Sequence, residues 1–247
     1  MERKYIWISL VAVALSFVGG FLLANSINRG EITLLRGENE RLKTTGQPDQ
    51  GNGDDLTLSN QEIEQKLAEA EQNAGNFQYQ RNLGLALYRY SAMKQDPELV
   101  DKAIPVLERA NALNSSDHDV IVGLANAYFD KGYLRKDNAS FETSRTFYAK
   151  ALAQKPDDKE VRTDLGLTYF LYQPPDYAAA ADNFKQSLKI DPKHEKSLQF
   201  LIQALVKNGR NEEASKYFAT LRSINPSNPT LQEFASLLAE ISNSQKQ

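Results

Sequence analysis

Two histidines and a few neighbouring carboxylates are the side chains with the chemistry for metal binding or proton transfer. His118 stands in the segment DHD, and His194 stands in the segment PKHE. A metal site needs several His, Cys or carboxylate ligands that converge, and a polar turn explains Asp-His-Asp without one. The pair Glu212-Glu213 has the pattern of a solvated helix start, whereas acid/base catalysis requires a buried carboxylate. We therefore expect no catalytic residue, no metal site and no cofactor.

The composition excludes further classes of site. The chain of 247 residues has no cysteine, so it has neither a disulfide framework nor a thiolate site. It contains no glycine-rich phosphate loop, no Gly-x-Ser-x-Gly elbow and no His-Glu-x-x-His segment. Its 29 basic and 32 acidic residues give a net charge of −3. Nucleic acid is not expected as a partner, because binding it requires a basic stripe.

A nine-residue phrase recurs along the chain at a fixed interval. It reads NLGLALYRY, GLANAYFDK and DLGLTYFLY, and these copies begin at positions 82, 123 and 164, each 41 residues after the last. A weaker fourth copy around Leu201 to Leu205 follows after 36 residues. A fixed period of roughly 20 to 50 residues indicates stacked repeats.

A second helical pattern with small residues follows each phrase. It ends in proline in three copies and in serine in the first: Pro156, Pro192, Pro226 and Ser115. Together the patterns resemble the tetratricopeptide (TPR) repeat, in which small residues let two helices approach and proline ends the second. The resemblance implies an all-α, TPR-type helical-hairpin solenoid with repeats at 77–115, 118–156, 159–192 and 195–228.

The first three copies exceed the usual repeat of about 34 residues, and the surplus falls between their two helices. The additional segments are SAMKQDPELVD, GYLRKDNASFE and QPPDY. Seven extra residues are about two helical turns, so the first two segments predict longer helix ends and a longer turn. Pro174-Pro175 predicts a sharper break in the third.

The repeat domain is expected over residues 58–241, with a capping helix at each end because end repeats otherwise expose apolar surface. Ser59 and Glu62 form the predicted capping box of the first capping helix, which ends near Gly75. The last helix is amphipathic through Leu231, Phe234, Leu237, Leu238 and Ile241. Residues 242–247 are expected to be a disordered tail.

The N-terminal segment has a different composition. After a short tail, 1–4, residues 5–28 contain no charge over 24 positions. About 20 apolar residues span a bilayer, so this segment predicts a transmembrane helix that serves as a signal anchor. The alternative is a cleaved signal peptide with Ala24-x-Ser26 as its cleavage site, although the apolar run exceeds the core of about 7 to 15 residues usual for such peptides.

Membrane orientation follows from the flanking charges only in part. Two basic residues precede the segment and four follow it, so their count does not favour an internal N-terminus: Arg3, Lys4, Arg29, Arg36, Arg41 and Lys43. A short basic leader before an apolar run is nevertheless typical of a signal anchor. The expected location is the bacterial inner (cytoplasmic) membrane, crossed once, with the repeats in the periplasm.

The same region carries two patterns that favour a homodimer. A small residue recurs every fourth position of the apolar segment: Ala12, Ser16, Gly20 and Ala24. Such stripes let membrane helices associate, although small residues are common there in any case. Residues 29–43 predict a juxtamembrane helix in which Leu35 and Leu42, one heptad apart, could extend the seam as a short coiled coil. Residues 44–57, rich in Gly, Pro, Gln and Asp, predict a flexible linker.

The TPR resemblance implies a concave groove, lined by the first helix of each repeat, that binds a peptide or a partner's helix. Three aromatics recur there every 41 residues: Tyr88, Phe129 and Phe170. They are either apolar anchors for a ligand or packing residues of the inter-helix turns, and both interpretations stay open. The polar candidates on this face are Arg81, Arg89, Asn126, Asp130, Gln203 and Lys207. Arg81 and Arg89 could meet a carboxylate or remain solvated.

Three classes of function follow. The leading one is a noncatalytic, membrane-anchored TPR adaptor that binds a partner protein or peptide during cell-envelope assembly. Its narrower version is similar in architecture to the membrane-anchored TPR subunits of bacterial cytochrome c maturation. The second class is a structural protein that self-associates through its transmembrane and juxtamembrane helices. An enzyme ranks third.

Overall fold

The computed structural model describes residues 58–244, with backbone alone for 242–244. This part of the chain forms ten α-helices in the order α1 (Asn60–Gln72), α2 (Phe77–Lys94), α3 (Pro97–Leu113), α4 (His118–Arg135), α5 (Asn138–Gln154), α6 (Lys159–Leu171), α7 (Tyr177–Ile190), α8 (Glu195–Lys207), α9 (Asn211–Ile224) and α10 (Leu231–Ser244). The predicted transmembrane helix, juxtamembrane helix and linker lie outside the described residues. Among the described helices, none combines the length and the apolar composition that a bilayer span requires.

Helices α2 to α9 form four hairpins that coincide with the four predicted repeats. In each hairpin the first helix packs on the second, and each hairpin packs on the next along the chain. The second helix of each hairpin ends two residues before the serine or proline that was predicted to end it. These helices end at Leu113, Gln154, Ile190 and Ile224. The predicted all-α solenoid of TPR-type repeats is therefore confirmed for the described residues.

The surplus residues of the first two repeats lengthen their helices. The first helices of these repeats have 18 residues and the second helices 17, whereas the helices of the last two repeats have 13 or 14. The predicted longer turn is wrong, because two residues suffice at each junction. Gln95 and Lys136 adopt left-handed conformations with φ of 53° and 54°, which reverses the chain at once. Asp96 and Asp137 then cap the next helix.

The third repeat has the sharper break that Pro174-Pro175 predicts. Its two helices are separated by residues 172–176, and both are shorter than those of the preceding repeats. The amide of Asp176 donates to the carbonyl of Tyr169 at 3.0 Å, which closes this loop against the end of α6. Asp176 also caps α7, since its Oδ1 accepts from the amide of Ala179 at 2.9 Å.

Both predicted capping helices are present. The capping box of α1 is confirmed: the amide of Glu62 donates to Ser59 Oγ at 3.2 Å, and the amide of Ser59 donates to Glu62 Oε2 at 2.8 Å. Ile63 of α1 and Phe234 of α10 are 2% and 1% exposed, so the caps bury apolar side chains at both ends of the stack. α10 continues to Ser244. The predicted disordered tail is therefore wrong for residues 242–244, and the remainder of that tail is not described.

Glycines set the distance between paired helices. A Cβ added to Gly84 would lie 2.9 Å from Leu107 Cδ2, and one added to Gly166 would lie 2.6 Å from Phe184 Cε1. Both contacts join the two helices of one repeat and are too short for any residue with a Cβ. Leu107 and Phe184 are themselves fully buried. The small residues of the repeated phrase therefore have the packing role that the TPR resemblance implies.

We predict that Gly166→Ala lowers the free energy of unfolding by about 1–3 kcal/mol, since overpacking outweighs the gain in helix propensity of about 1 kcal/mol. The matched control is Gly75→Ala, because a Cβ at Gly75 meets nothing within 4 Å. The control should be neutral or slightly stabilising. Urea unfolding of the full-length chain, followed by circular dichroism, measures both variants. Equal midpoints for the two would contradict this account of the packing.

Candidate functional site

A cavity of about 360 Å³ lies between the first helices of the first three repeats, α2, α4 and α6. We refer to it as the Asp130 cavity. It is lined by Leu85, Tyr88, Arg89, His118, Asp119, Val122, Gly123, Asn126, Phe129, Asp130, Tyr148, Lys155, Asp158 and Asp164. Apolar side chains and titratable groups of both signs are therefore in reach of one ligand, which is the usual composition of a binding site.

Five of the nine predicted groove residues come together in this cavity: Tyr88, Arg89, Asn126, Phe129 and Asp130. The other four do not line it: Arg81, Phe170, Gln203 and Lys207. Gln203 and Lys207 belong to α8 in the fourth repeat, where Gln203 is 7% exposed. Burial lowers the pKa of the Lys207 ammonium, the last residue of that helix. The predicted groove extended along four repeats, whereas the cavity is formed by the first three alone.

The three recurrent aromatics do not form one exposed row. Phe129 is 2% exposed and packs edge-on against Phe141, with ring centroids 5.7 Å apart. Phe170 is 7% exposed and packs in the same way against Tyr177 at 5.3 Å. In both cases the partner lies at the start of the second helix of the same repeat. This burial favours the packing interpretation for both phenylalanines, whereas Tyr88 is only half-buried at the cavity.

Arg81 is already engaged by the protein. Its Nε lies 3.1 Å from Asp117 Oδ2, and its Nη2 pairs with Asp119. Asp117 in turn caps α4, where its Oδ1 accepts from the amide of Val120 at 2.9 Å. Arg81 therefore ties the first repeat to the start of the second, and its predicted contact with a ligand carboxylate would have to compete with these bonds.

Asp130 is the carboxylate of the cavity that the protein leaves unpartnered. The residue is 1% exposed, and within residues 58–244 neither carboxylate oxygen has a hydrogen-bond partner. Burial raises the pKa of Asp130 to about 8; the nearby Tyr88 hydroxyl lowers this pKa in part, and the Asp164 carboxylate raises it further. At neutral pH the carboxyl group is therefore mostly protonated in the unbound protein.

The three other carboxylates of the cavity all have partners. Asp119 pairs with Arg81. Asp158 caps α6, where its Oδ1 accepts from the amide of Val161 at 3.0 Å. Asp164 is 4% exposed and forms an ion pair of 2.6 Å with Lys196 of α8. Among the four carboxylates that line the cavity, Asp130 is therefore the one whose oxygens have no partner within residues 58–244.

A serine, a histidine and a glutamate in the last two repeats have distances usual in a catalytic triad. His194 Nδ1 lies 2.8 Å from Ser197 Oγ, and His194 Nε2 lies 3.0 Å from Glu160 Oε1. Ser197 is fully buried, however, and its hydroxyl is also bonded to Ser187 Oγ at 2.8 Å. A nucleophile must face a space in which substrate can bind, and Ser197 does not line the Asp130 cavity. We assign this network to the packing of α6, α7 and α8.

The remaining histidine also has a structural contact. His118 Nδ1 lies 2.9 Å from Gln154 Oε1, which joins the start of α4 to the end of α5. Across residues 58–244, no group of three or more His, Cys, Asp or Glu side chains has the arrangement of a metal site.

A second cavity of about 580 Å³ lies beside the break in the third repeat, next to Pro174-Pro175. Its principal cation, Arg145, already has aromatic partners within the protein. The Arg145 guanidinium lies over the rings of Tyr169 and Tyr172, at 4.5 and 4.6 Å from their centroids. The Tyr172 hydroxyl donates to Glu142 Oε1 at 2.7 Å. Because its polar groups bond to one another, this cavity is a weaker candidate than the Asp130 cavity.

Several lining residues were not predicted from the sequence. Gly123 and Asp164 occupy the same position of the repeated phrase, 41 residues apart. A charged residue at a position where another copy has glycine was a usable signal for a functional side chain. A Cβ on Gly123 would lie 2.6 Å from Leu85 Cδ2, so glycine there lets two neighbouring repeats approach. Tyr148 belongs to α5, the second helix of its repeat. The predicted groove was lined by the first helix of each repeat, so Tyr148 was not among its candidates. Its hydroxyl donates to Asn126 Oδ1 at 2.7 Å.

We predict that Asp130→Asn stabilises the protein increasingly as pH rises. With a pKa of about 8 instead of the usual 3.8, the folded state binds a proton that the unfolded state has released between these values. Stability from this group is therefore fully present below about pH 4 and is lost as pH rises through 8. Asparagine does not titrate, so the variant should gain at least ~1 kcal/mol at pH 8 and almost nothing at pH 4.

Urea unfolding of the full-length chain between pH 4 and 9 measures this difference. Asp157→Asn is the matched control, because Asp157 is exposed in the turn before α6. The same pH dependence in both variants would mean that Asp130 is not an uncompensated buried acid.

Two family models match the chain. The family described as "Tetratricopeptide repeat" matches residues 171–241. The family described as "Plant specific mitochondrial import receptor subunit TOM20" matches residues 58–175. No curated protein matches the sequence.

Solved structures with a similar fold include three of MamA. MamA MSR-1 has a TM-score of 0.53 at 22% identity, over 69% of this chain and 88% of that chain. MamA AMB-1 has a TM-score of 0.54 at 23% identity, over 68% of this chain and 82% of that chain. Residues 41 to the end of MamA from Desulfovibrio magneticus RS-1 have a TM-score of 0.53 at 16% identity, over 80% of this chain and 96% of that chain. At these identities the similarity concerns the fold.

Proposed function

The chain is a tetratricopeptide-repeat protein, and we propose that it serves as a noncatalytic adaptor that binds a partner protein or peptide in the Asp130 cavity. The observation that carries this proposal is the unpartnered carboxyl group at that cavity. A buried polar group without a partner costs free energy, and about 1–3 kcal/mol is usual. A ligand that supplies the missing hydrogen bonds recovers that free energy on binding.

The rest of the cavity suits a polypeptide. Leu85 and Val122 offer apolar contact, whereas Asn126 and Tyr88 offer hydrogen-bonding groups. The backbone of these residues belongs to helices that pack on one another, so the site is largely preformed. A preformed site loses little conformational entropy on binding, which favours recognition of a short segment.

We further propose that the adaptor is held at a bacterial inner membrane with its repeats in the periplasm. Support comes from the uncharged stretch of 24 residues at positions 5–28, which lies outside the described residues. The linker at 44–57 would let the repeats reach partners away from the membrane. Cell-envelope assembly is the proposed setting. Its narrower version, cytochrome c maturation, is supported by the architecture of an anchored repeat domain alone.

Self-association is the second candidate function. The stripe of Ala12, Ser16, Gly20 and Ala24 in the proposed membrane helix favours it, since small residues let such helices pack closely. In this alternative the N-terminal segment forms the contact, and the Asp130 cavity is not needed.

Crosslinking in intact cells, followed by purification of the full-length chain, tests the proposal. We predict that Val122→Trp, which places a large side chain in the cavity, lowers recovery of the crosslinked partner about tenfold. The matched control is Leu113→Trp, because Leu113 is 44% exposed on α3 and does not line the cavity. This control should capture as much partner as the wild type. Circular dichroism verifies that both variants fold.

Other outcomes decide against parts of the proposal. If both tryptophan variants capture the same partner equally, the cavity is not the binding site. If the captured protein is a second copy of this chain and Val122→Trp has no effect, self-association explains the result. Recovery of the chain in the soluble fraction of the same cells would contradict the membrane anchor.

A further inference from the structure

Asp130 requires a specific kind of ligand group. Its carboxyl group is 1% exposed yet lines the cavity, so it is recessed and only a side chain that enters the cavity can reach it. Both of its oxygens lack a hydrogen-bond partner within residues 58–244. A carboxylate accepts hydrogen bonds at both oxygens and binds cationic donors most strongly.

The charge of the cavity favours a cation over an anion. Four aspartates, two basic residues, two tyrosines and one histidine line it. Two of these aspartates are already paired, Asp119 with Arg81 and Asp164 with Lys196. Asp158 caps α6, which leaves Asp130 as the carboxyl group of the cavity without a partner within residues 58–244. Once Asp130 is ionised, it attracts a cation and repels an anion at short range.

The walls suit a side chain with an apolar stem. Leu85, Val122 and Phe129 line the same cavity as the recessed carboxyl group. Lysine and arginine carry three or four methylene groups that pack on such surfaces while their charged ends reach a polar partner. Shorter polar side chains lack this reach, and purely apolar ones would leave the carboxyl group unsatisfied.

From these observations we propose that the Asp130 cavity receives a lysine or arginine side chain of the partner polypeptide, which forms an ion pair with Asp130. This inference rests on the proposed function, since it identifies the chemistry by which the same cavity recognises its partner. Specificity would arise because an uncharged residue at that position leaves a buried carboxyl group without its donors.

Binding of a cation would be coupled to release of a proton. Several charged and titratable groups line the same cavity: Tyr88 and Arg89 on α2, His118 and Asp119 on α4, Tyr148 on α5, Lys155 and Asp158 between α5 and α6, and Asp164 on α6, which is paired with Lys196 of α8. Burial raises the pKa of Asp130 to about 8, so the ligand must ionise it near neutral pH. Affinity should therefore rise with pH until Asp130 is ionised in the unbound protein as well.

The experiment is a selection of displayed random peptides on the immobilised full-length chain, with counter-selection on Val122→Trp. Recovered peptides then depend on the cavity. Each peptide is synthesised with its lysines replaced by norleucine and its arginines replaced by citrulline, and affinities are measured for wild type and for Asp130→Asn. We expect one such replacement to weaken binding to wild type about tenfold and to change binding to Asp130→Asn less than about twofold.

The pH dependence provides a second readout. Between pH 6 and 9 the affinity of wild type for the unmodified peptide should rise at least about tenfold, and the affinity of Asp130→Asn should stay nearly constant. Asp130→Asn is suitable for this comparison because it preserves the shape of the side chain and is expected to fold more stably at these pH values.

Three results would overturn the inference, and they have different consequences for the proposed function. If selected peptides bind equally well after every lysine and arginine is replaced, the cavity binds peptides but does not recognise a cation. If no peptide distinguishes wild type from Val122→Trp, both the cation site and the peptide-binding cavity are wrong. Equal sensitivity of wild type and Asp130→Asn to the replacements would place the cation at another carboxylate.

Discussion

The close approach of paired helices through glycine is the constraint on which the rest of this structure depends. Gly84 and Gly166 let Leu107 and Phe184 fill the space that a Cβ would occupy, so each hairpin packs closely. A single hairpin cannot bury its apolar face, and the face is covered only when the next repeat stacks on it. Gly123 extends the same principle from one repeat to its neighbour, because it accommodates Leu85 of α2. The spacing of the first helices follows from these contacts.

That spacing also determines which polar groups are satisfied. Asp164 and Asp130 are both buried carboxylates at the same cavity, but their surroundings differ. Lys196 reaches Asp164 from α8 at 2.6 Å, which gives the third repeat a paired charge. Among the described residues, no comparable cation reaches Asp130. Both oxygens of its carboxyl group remain without hydrogen-bond partners. Since the fold provides a partner for one carboxylate and not for the other, the unpaired one is the group to which we assign a binding role.

The sequence was sufficient for the repeats because their signals are local. Small residues and terminating prolines recur at a fixed interval, and a single sequence displays that interval directly. They indicate contacts between neighbouring helices. The two-residue turns were not predictable in the same way. Gln95 and Lys136 adopt a left-handed conformation that glycine usually signals, and neither is glycine.

The candidate site was predictable only in part. The alignment of the repeats placed Asp130 on the face that lines the cavity. It did not show that the tertiary structure brings Tyr88 from α2 and Tyr148 from α5 to the same cavity. Phe129 and Phe170 show the opposite case. Their positions fit a ligand face as well as a core, and the burial that distinguishes the two comes from Phe141 and Tyr177 at the start of the following helix. Periodicity identifies a face, whereas exposure depends on the side chains of the helix that packs against it.

The Asp130 carboxyl group is buried without a hydrogen-bond partner within residues 58–244, and we propose that a binding partner supplies one. The most direct measurement is the pH titration of the Asp130 carboxyl ¹³C resonance in the full-length chain, assigned by its absence in Asp130→Asn. We predict a midpoint near the pKa of about 8 that burial imposes. A midpoint close to 3.8, the usual value for aspartate, would show that the group is solvated or already paired and would contradict the account.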